Sequence, residues 1–251
     1  MTARASWIKI LSTVIHDYDR GRNHLLAELP DEEFARLEPF MEAISSESGD
    51  VVAAPGQTVD HAYFPLSGMI SVVALFSEGL GVEVATIGNE GMIGLPIFLG
   101  ADSSPFHVMW QLAGETLRIR AQDFLPALIP GSRLENVLTT YSQAYFVHTA
   151  QNAACNGLHP VSQRAARWLL ATQDRAGGDE FFLTQEFLAF MLGVTRQSVG
   201  IAVGELQETG LISYHRGHMT ILDREGLLAI SCECYGIVQR EFQRLLGIGR
   251  A

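Results

Sequence analysis

Residues 183–206 constrain the fold of this chain more than any other segment. Thr184 is a good N-cap residue, and apolar side chains follow it at helical spacing. Gly193 can adopt the left-handed conformation that ends a helix, and Thr195 can cap a second helix. We therefore predict two short helices joined by a tight turn, the helix-turn-helix motif. The predicted inward-facing positions are Leu188, Ala189, Leu192, Val199, Ala202 and Leu206.

The segment after the second helix favours DNA binding over an ordinary helical hairpin of a core. Residues 211–214 and 219–222 have the composition of two short strands, separated by a four-residue turn at 215–218. Two helices followed by a β-hairpin form a winged helix, whose second helix enters the major groove of DNA. Arg216 lies at the predicted hairpin tip, where it would contact a phosphate.

The distribution of charge is compatible with such binding, although the net charge of −11 opposes simple affinity for nucleic acid. Residues 160–218 carry five Arg against six acidic residues, so this region is nearly neutral. All basic residues except Lys9 are Arg, which suits bidentate contacts to guanine and phosphate. The sequence thus predicts weak non-specific binding and a few well-placed contacts.

Several other classes of protein and site are disfavoured. No apolar run approaches the roughly 20 residues of a membrane span, and the N-terminus is a poor signal peptide, so we expect a cytoplasmic protein. Cys155, Cys232 and Cys234 form no disulfide framework, and Cys232 and Cys234 lack the partners of a zinc or iron–sulfur site. Idle or buried thiols are the favoured interpretation, and we predict no metal site.

An enzyme is also disfavoured. The sequence has no Ser-His-Asp grouping, no metal-ligand spacing and no phosphate-binding loop. Residues 88–94 are rich in glycine, but they connect strands and do not open a helix after a strand, so the dinucleotide-binding interpretation fails.

The chain changes character from mostly β to mostly α along its length. Residues 1–20 are an expected N-terminal leader that could form a short helix, and residues 23–43 are an expected pair of small helices. Short β-branched runs then recur at 62–66, 69–76, 82–87, 107–112 and 116–119, with a hairpin tip at 78–81, which indicates a β-sandwich or a rolled barrel. A short helix is predicted at 122–129, a long one at 133–156 and a final one from Asp223 to about Leu246. The long helix has two apolar stripes, one of which could face a second copy of the protein.

The order β-roll, long helix, winged helix resembles the Crp/Fnr family of bacterial transcription regulators. The resemblance rests on residues 62–69 (Ala-Tyr-Phe-Pro-Leu-Ser-Gly-Met), 161–170, 183–189 and 195–200. It implies an α+β fold with an N-terminal β-roll (a double-stranded β-helix or jelly roll), a long dimerisation helix and a C-terminal winged helix-turn-helix. The implied domains are a leader at 1–20, a cyclic-nucleotide-binding-like sensor at 21–132, the dimerisation helix at 133–157 and the DNA-binding domain at 158–251.

The resemblance further implies a cytoplasmic homodimer that binds a palindromic promoter site, with double-stranded DNA, a second copy and RNA polymerase as partners and no membrane. Arg196, Gln197 and Ile201 depart from the usual residues of the recognition helix, so the target sequence should differ from the familiar one. The predicted contacts to bases are Arg196, Gln197, Ser198 and Ile201, with Gly200 on the same face. The predicted contacts to the DNA backbone are Thr184, Thr195, Tyr214 and Arg216.

Members of the family respond to different effectors, and three of these are disfavoured here. Leu95 stands where members that bind cyclic AMP carry Glu, and no Arg occurs from Gly91 to Gln111, which leaves a buried phosphate without a cation. An oxygen-sensing iron–sulfur cluster needs N-terminal cysteines, and the first cysteine is Cys155. A haem would need His107 or His148 as an axial ligand, and a satisfied or surface histidine is favoured for each.

We therefore predict no cofactor and an unknown effector, in a pocket between the roll and the long helix. The alternative is that side chains fill this space and the protein binds DNA without a ligand. A second alternative concerns function: the protein could be a small-molecule sensor whose helix-turn-helix is a protein-docking surface. The predicted effector residues are Gly94, Ser103, Ser104, His107, Trp110, Tyr145, His148 and Thr149.

Overall fold

The structure, a computed structural model, describes residues 13–15, 18–76 and 79–248. These residues form two compact units. The first unit contains the described residues of Met1–Val72 and Ile87–Pro130, and the second contains those of Val73–Thr86 and Gly131–Ala251. Segment Val73–Thr86, which we placed in the sensor, thus packs with the second unit.

The N-terminal part of the chain is the predicted β-roll. Its sheets have the strand orders β1-β2-β8-β4 and β3-β7-β5-β6. The helices are α1 (His24–Ala27), α2 (Asp31–Leu37), α3 (Leu95–Phe98) and α4 (Ala121–Phe124). The strands are β1 (Thr13–Ile15), β2 (Glu42–Ser46), β3 (Val51–Ala53), β4 (His61–Pro65), β5 (Met69–Leu75), β6 (Gly81–Ile87), β7 (His107–Leu112) and β8 (Gly114–Arg120).

All five predicted strands are confirmed, and three further strands were missed. The predicted helical region at 23–43 is too long, because Glu42 and Ala43 belong to β2. Ala43 pairs with Leu117 of β8, and both are buried in the core, so sheet pairing overrides helical spacing there. Part of the predicted leader, β1, pairs with β2 in an antiparallel arrangement. The rest of the leader that precedes it, and Glu78 of the predicted hairpin tip, lie outside the described residues.

The second unit contains the long helix and the winged helix-turn-helix. The long helix α5 begins after Ser132, whose hydroxyl accepts a hydrogen bond from the Glu135 amide at 3.2 Å. The remaining elements are α5 (Arg133–Leu158), α6 (Val161–Ala176), β9 (Glu180–Phe182), α7 (Gln185–Leu192), α8 (Arg196–Glu208), β10 (Ile212–His215), β11 (His218–Ile221), α9 (Arg224–Ile230) and α10 (Cys234–Leu246).

Buried polar side chains connect α5 and α6 to the β6 segment of the same unit. The Trp168 indole N–H donates to Glu83 Oε1 at 3.0 Å. Asn152 donates to the Val84 carbonyl at 3.0 Å and accepts from Arg167 at 2.8 Å. Since buried polar groups are costly without partners, these bonds fix the position of both helices against β6.

The predicted final helix is two helices. The chain breaks at residues 231–233, where the Ser231 amide bonds to the Leu227 and Leu228 carbonyls and closes α9. A single helix from 223 to 246 was therefore wrong. The break separates Cys232 from α10 and gives the two cysteines of the C-terminal region different backbone environments.

No single helix of the described residues is long and apolar enough to cross a membrane. Helices α7 and α8 taken together have the length and apolar composition of a membrane span, but the chain bends by 109° between them.

Candidate nucleic-acid interface

The helix pair α7–α8 has the caps that the sequence predicts. The Thr184 hydroxyl accepts from the Phe187 amide at 3.1 Å, and the Thr195 hydroxyl accepts from the Ser198 amide at 3.2 Å. Gly193 ends α7 with φ of 62°, and the chain turns by 109° between the helices, within the range of helix-turn-helix motifs. All six predicted inward-facing residues, from Leu188 to Leu206, are buried.

The opposite face of α8 is open to solvent. Arg196 and Gln197 are exposed in its first turn, and Ser198 and Gly200 are half-buried. The Ser198 and Thr195 hydroxyl oxygens lie 2.9 Å apart, so the pair shares one hydrogen bond and keeps one O–H for another acceptor. Ile201 is 59% exposed, so most of its apolar surface is not buried in the core of the protein. The face thus offers a cation, an amide, a hydroxyl and an apolar group in two turns.

The wing is a three-stranded sheet of order β10-β11-β9 with a tighter hairpin than we predicted. His215 pairs with His218, so the turn consists of Arg216 and Gly217 and is not four residues long. Both have positive φ, 49° for Arg216 and 86° for Gly217. This pattern matches the type I′ turn, which suits the twist of a β-hairpin. Arg is an uncommon residue for the first position, because the left-handed conformation costs about 1–2 kcal/mol for a residue with a Cβ.

Helix termini and wing together line one groove of about 390 Å³. It contains four residues predicted to contact DNA: Thr184, Arg196, Tyr214 and Arg216. The Tyr214 amide donates to Gln207 Oε1 at 2.8 Å, which ties β10 to α8. The remaining lining residues are Gln185, Glu186 and Gly217.

Gln185 and Glu186 are groove residues that sequence reasoning missed as such. We interpreted Glu186 only as a favourable charge in the first turn of α7. Glu186 lies in the same groove as Arg196 and Arg216. This position could not be predicted, because it depends on how the wing, about 30 residues later in the chain, packs beside α7. The only sequence signal was their position next to the Thr184 cap.

Two domain models match the chain: a cyclic nucleotide-binding domain over residues 43–129 and a Crp-like helix-turn-helix domain over residues 163–230. The chain belongs to the Crp/Fnr family. This family consists of transcription regulators, so the chain is a Crp/Fnr-type transcription regulator. No curated protein matches the chain.

Solved structures of Crp/Fnr regulators share the fold at low sequence identity. A protein from Eubacterium rectale assigned to this family is 17% identical with a TM-score of 0.67, and the match covers 84% of this chain and 98% of that one. A Crp/Fnr transcriptional regulator from Thermus thermophilus is 21% identical with a TM-score of 0.63, covering 76% and 98%. The global regulator CLP from Xanthomonas campestris, which responds to c-di-GMP, is 16% identical with a TM-score of 0.63, covering 76% and 99%.

The predicted effector residues of the first unit all lie between Gly91 and Gln111. Gly94 precedes α3, Ser103 donates to Asp102 at 3.0 Å, and the Ser104 hydroxyl accepts from the Phe106 amide at 3.4 Å. His107 is half-buried and its burial lowers its pKa, whereas Trp110 is 2% exposed. Side chains alternate along β7, so His107 and Trp110 lie on opposite faces of the strand, and a pocket on one face would contain only one of them.

The predicted effector residues of the second unit lie on α5. The His148 ring packs edge-on against Phe242 of α10 with centroids 6.2 Å apart, and Thr149 donates to the Phe146 carbonyl at 2.9 Å. Burial raises the pKa of Tyr145 to about 12. His148 is thus a packed residue between two helices.

A cavity of about 790 Å³ opens in the first unit at a different place. Its lining includes His61 of β4, Asp102 of the loop after α3 and Arg120 at the end of β8, and none of the predicted effector residues. Burial and the Arg118 and Arg120 cations lower the pKa of His61. Arg120 gives this cavity a cation that the segment from Gly91 to Gln111 lacks.

We expected Cys232 and Cys234 to lack further ligands for a metal, but the structure places two potential ligands beside them. The fold brings Cys155 and His159, at the end of α5, next to both cysteines. The sequence separation of 77 residues between Cys155 and Cys232 gave no spacing signal.

Proposed function

We propose that this Crp/Fnr regulator is a homodimer that binds two-fold symmetric DNA with α8 in the major groove. The groove that holds Thr184, Arg196, Tyr214 and Arg216 is the observation that carries this proposal. It places Arg196, a predicted base contact, beside three predicted contacts to the DNA backbone and next to the exposed face of α8. Arg196 suits guanine, Gln197 adenine, and Ile201 the methyl group of thymine. RNA polymerase stays a predicted partner.

The long helix offers a surface for the second copy. The two predicted stripes are buried or half-buried within the chain except at Ala154. They consist of Leu134, Leu138, Tyr141, Tyr145 and His148, and of Val137, Ala144, Val147, Gln151 and Ala154. A third face, which we call the outer stripe, is exposed along its whole length and repeats at spacings of four and three residues, as in a coiled coil. Its central residue, Phe146, is 66% exposed. The outer stripe consists of Thr139, Gln143, Phe146, Ala150, Ala153 and Gly157.

Selection of random duplex DNA by the purified protein, with no ligand added, tests the proposal. A motif with two equal half-sites about one helical turn apart supports a dimer with two α8 helices. A second selection with added cell extract detects DNA binding that requires an effector from the cell. No enrichment in either selection, together with a protein partner captured through α8, would favour the alternative that the helix-turn-helix is a protein-docking surface.

The strained turn of the wing supports a contact with phosphate, since a costly conformation at an exposed position is often retained for function. We expect Arg216→Asn to raise the free energy of unfolding by about 0.5–1 kcal/mol, because Asn-Gly is the favoured type I′ pair. The same change should weaken binding to all DNA sequences alike. It should also reduce, by about one, the slope of the logarithm of affinity against the logarithm of salt concentration. Thermal unfolding and titrations at several salt concentrations measure both effects. A change in base preference would contradict a phosphate contact.

We also propose that the β-roll binds a small effector other than cyclic AMP. The match to a cyclic nucleotide-binding domain supports a ligand, while Leu95 is 8% exposed in α3, where it provides apolar surface and no charge. Thermal shift with a panel of nucleotides and metabolites tests this. We expect no stabilisation by cyclic AMP and stabilisation by another compound of the panel. Stabilisation by cyclic AMP would refute the proposal, and no stabilisation by any compound would favour a filled pocket.

A further inference from the structure

Four potential metal ligands converge where the end of α5 meets the junction of α9 and α10. They are Cys155, His159, Cys232 and Cys234, and the three sulfurs and a ring nitrogen all lie within 4.8 Å of one another. We call this set the Cys3His cluster. It uses every cysteine of the chain.

Local structure explains how the four side chains meet. Cys155 and His159 are four residues apart, so they lie on one face of the last turn of α5, which ends as the His159 amide bonds to the Cys155 carbonyl at 3.1 Å. On the other side, the break between α9 and α10 lets Cys232 and Cys234 both point inward, while Glu233 between them is exposed. A continuous helix would direct residues two positions apart to different faces.

The distances fit one tetrahedral ion. Cys155 Sγ and Cys232 Sγ are 3.5 Å apart, and so are Cys234 Sγ and His159 Nδ1. Bond lengths of about 2.3 Å to sulfur and 2.0–2.1 Å to nitrogen place tetrahedral ligand atoms about 3.6–3.8 Å apart. These two separations therefore need only small adjustments around Zn²⁺, and the other pairs, which lie within 4.8 Å, would close by at most about 1 Å. They are far longer than the roughly 2.05 Å of a disulfide.

The surroundings match those of a metal site. His159 presents Nδ1 to the cluster, and its other nitrogen, Nε2, lies 3.3 Å from Glu233 Oε2. A carboxylate on the second nitrogen is the arrangement that orients metal-binding histidines in proteins. The Gln151 amide donates to Cys234 Sγ at 3.1 Å, a further contact that stabilises a thiolate.

A cation lies beside the buried cysteines. All three cysteines are nearly inaccessible to solvent, at 0–3% exposure. The Arg167 guanidinium is close enough to Cys155 to interact with a negative charge on its sulfur. Three thiolates around a divalent cation leave one negative charge, which Arg167 can offset.

We propose that Cys155, His159, Cys232 and Cys234 bind one Zn²⁺ in a closed structural site. Four protein ligands leave no open position for substrate or water, which is typical of structural zinc and not of catalytic zinc. The ion would fasten the start of α10 to the end of α5. None of these four residues is among the predicted DNA contacts.

The test is the metal content of the full-length protein, purified without a histidine tag under reducing conditions. Plasma mass spectrometry should find one zinc ion per chain that survives dialysis. Protein loaded with Co²⁺ instead should show thiolate-to-cobalt charge transfer and the intense visible bands of a tetrahedral ion. Removal of zinc by a chelator should lower Tm by about 5–10 °C, and added zinc should restore it.

Variants identify the ligands. Cys232→Ser and His159→Gln should each lose most of the bound zinc, whereas His24→Gln, a histidine of α1 outside the cluster, should retain it. Wild-type protein answers the question even if a cysteine variant fails to fold. Absence of zinc together with a Co²⁺ spectrum lacking thiolate bands would overturn the proposal. So would iron with acid-labile sulfide, or a disulfide between Cys155 and Cys232 in the reduced preparation.

Discussion

Phe146→Glu is expected to convert the proposed dimer into a monomer and to weaken binding to a palindromic site by roughly 10²–10⁴-fold. Phe146 is the central residue of the outer stripe, and at this position of a coiled coil each copy would place a carboxylate against the other. The loss follows because a monomer binds one half-site and forfeits the effective concentration that links two DNA-binding units. Since Phe146 is 66% exposed in the chain, the fold of the monomer should survive the change.

Sedimentation or light scattering measures the mass of this variant, and a titration with the selected duplex measures its affinity. Leu99→Glu is the matched control, because Leu99 has a similar exposure of 63% and follows α3 in the first unit. It should remain dimeric and bind DNA normally. A Phe146→Glu protein with the mass of a dimer and unchanged affinity would place the dimer interface elsewhere than on the outer stripe.

The parts of the fold that could be predicted from the sequence are those fixed by local chemistry. Thr184, Gly193 and Thr195 define the two helices through hydrogen bonds to residues at most five positions away. The caps can therefore be identified from the sequence alone, and the bounds of α7 and α8 agree with the prediction within about two residues. The strands of the β-roll could likewise be predicted from their short β-branched runs.

Features that depend on distant residues could not be predicted. The apolar stripes of α5 indicated a dimer seam, but an apolar stripe only shows that a face is covered, not by what. The other residues of the outer stripe are Thr, Gln, Ala and Gly, so the pattern of large apolar side chains in the sequence does not mark this face. The Cys3His cluster depends on the break at residues 231–233, and the helical spacing of the surrounding apolar residues conceals this break.

Arg196→Ala is expected to lower affinity for the selected DNA site by about 5–150-fold and to relax base preference at one position of each half-site. Arg196 is the first residue of α8, exposed and in the groove beside Arg216. The N-terminal residues of a recognition helix contact base edges, and a bidentate Arg–guanine pair discriminates against a wrong base by about 1–3 kcal/mol. Stability should not change, because the Thr195 cap and the buried face of α8 remain intact.

The comparison of specific with random DNA decides which group Arg196 contacts. A guanine contact predicts a large loss on the selected duplex and a small one on random duplex, whereas a phosphate contact predicts equal losses, as for Arg216→Asn. Arg36→Ala removes the same charge from an exposed position of α2 and controls for the change in net charge. Equal weakening on both duplexes would assign Arg196 to the DNA backbone and leave Gln197 and Ile201 as the base contacts of α8.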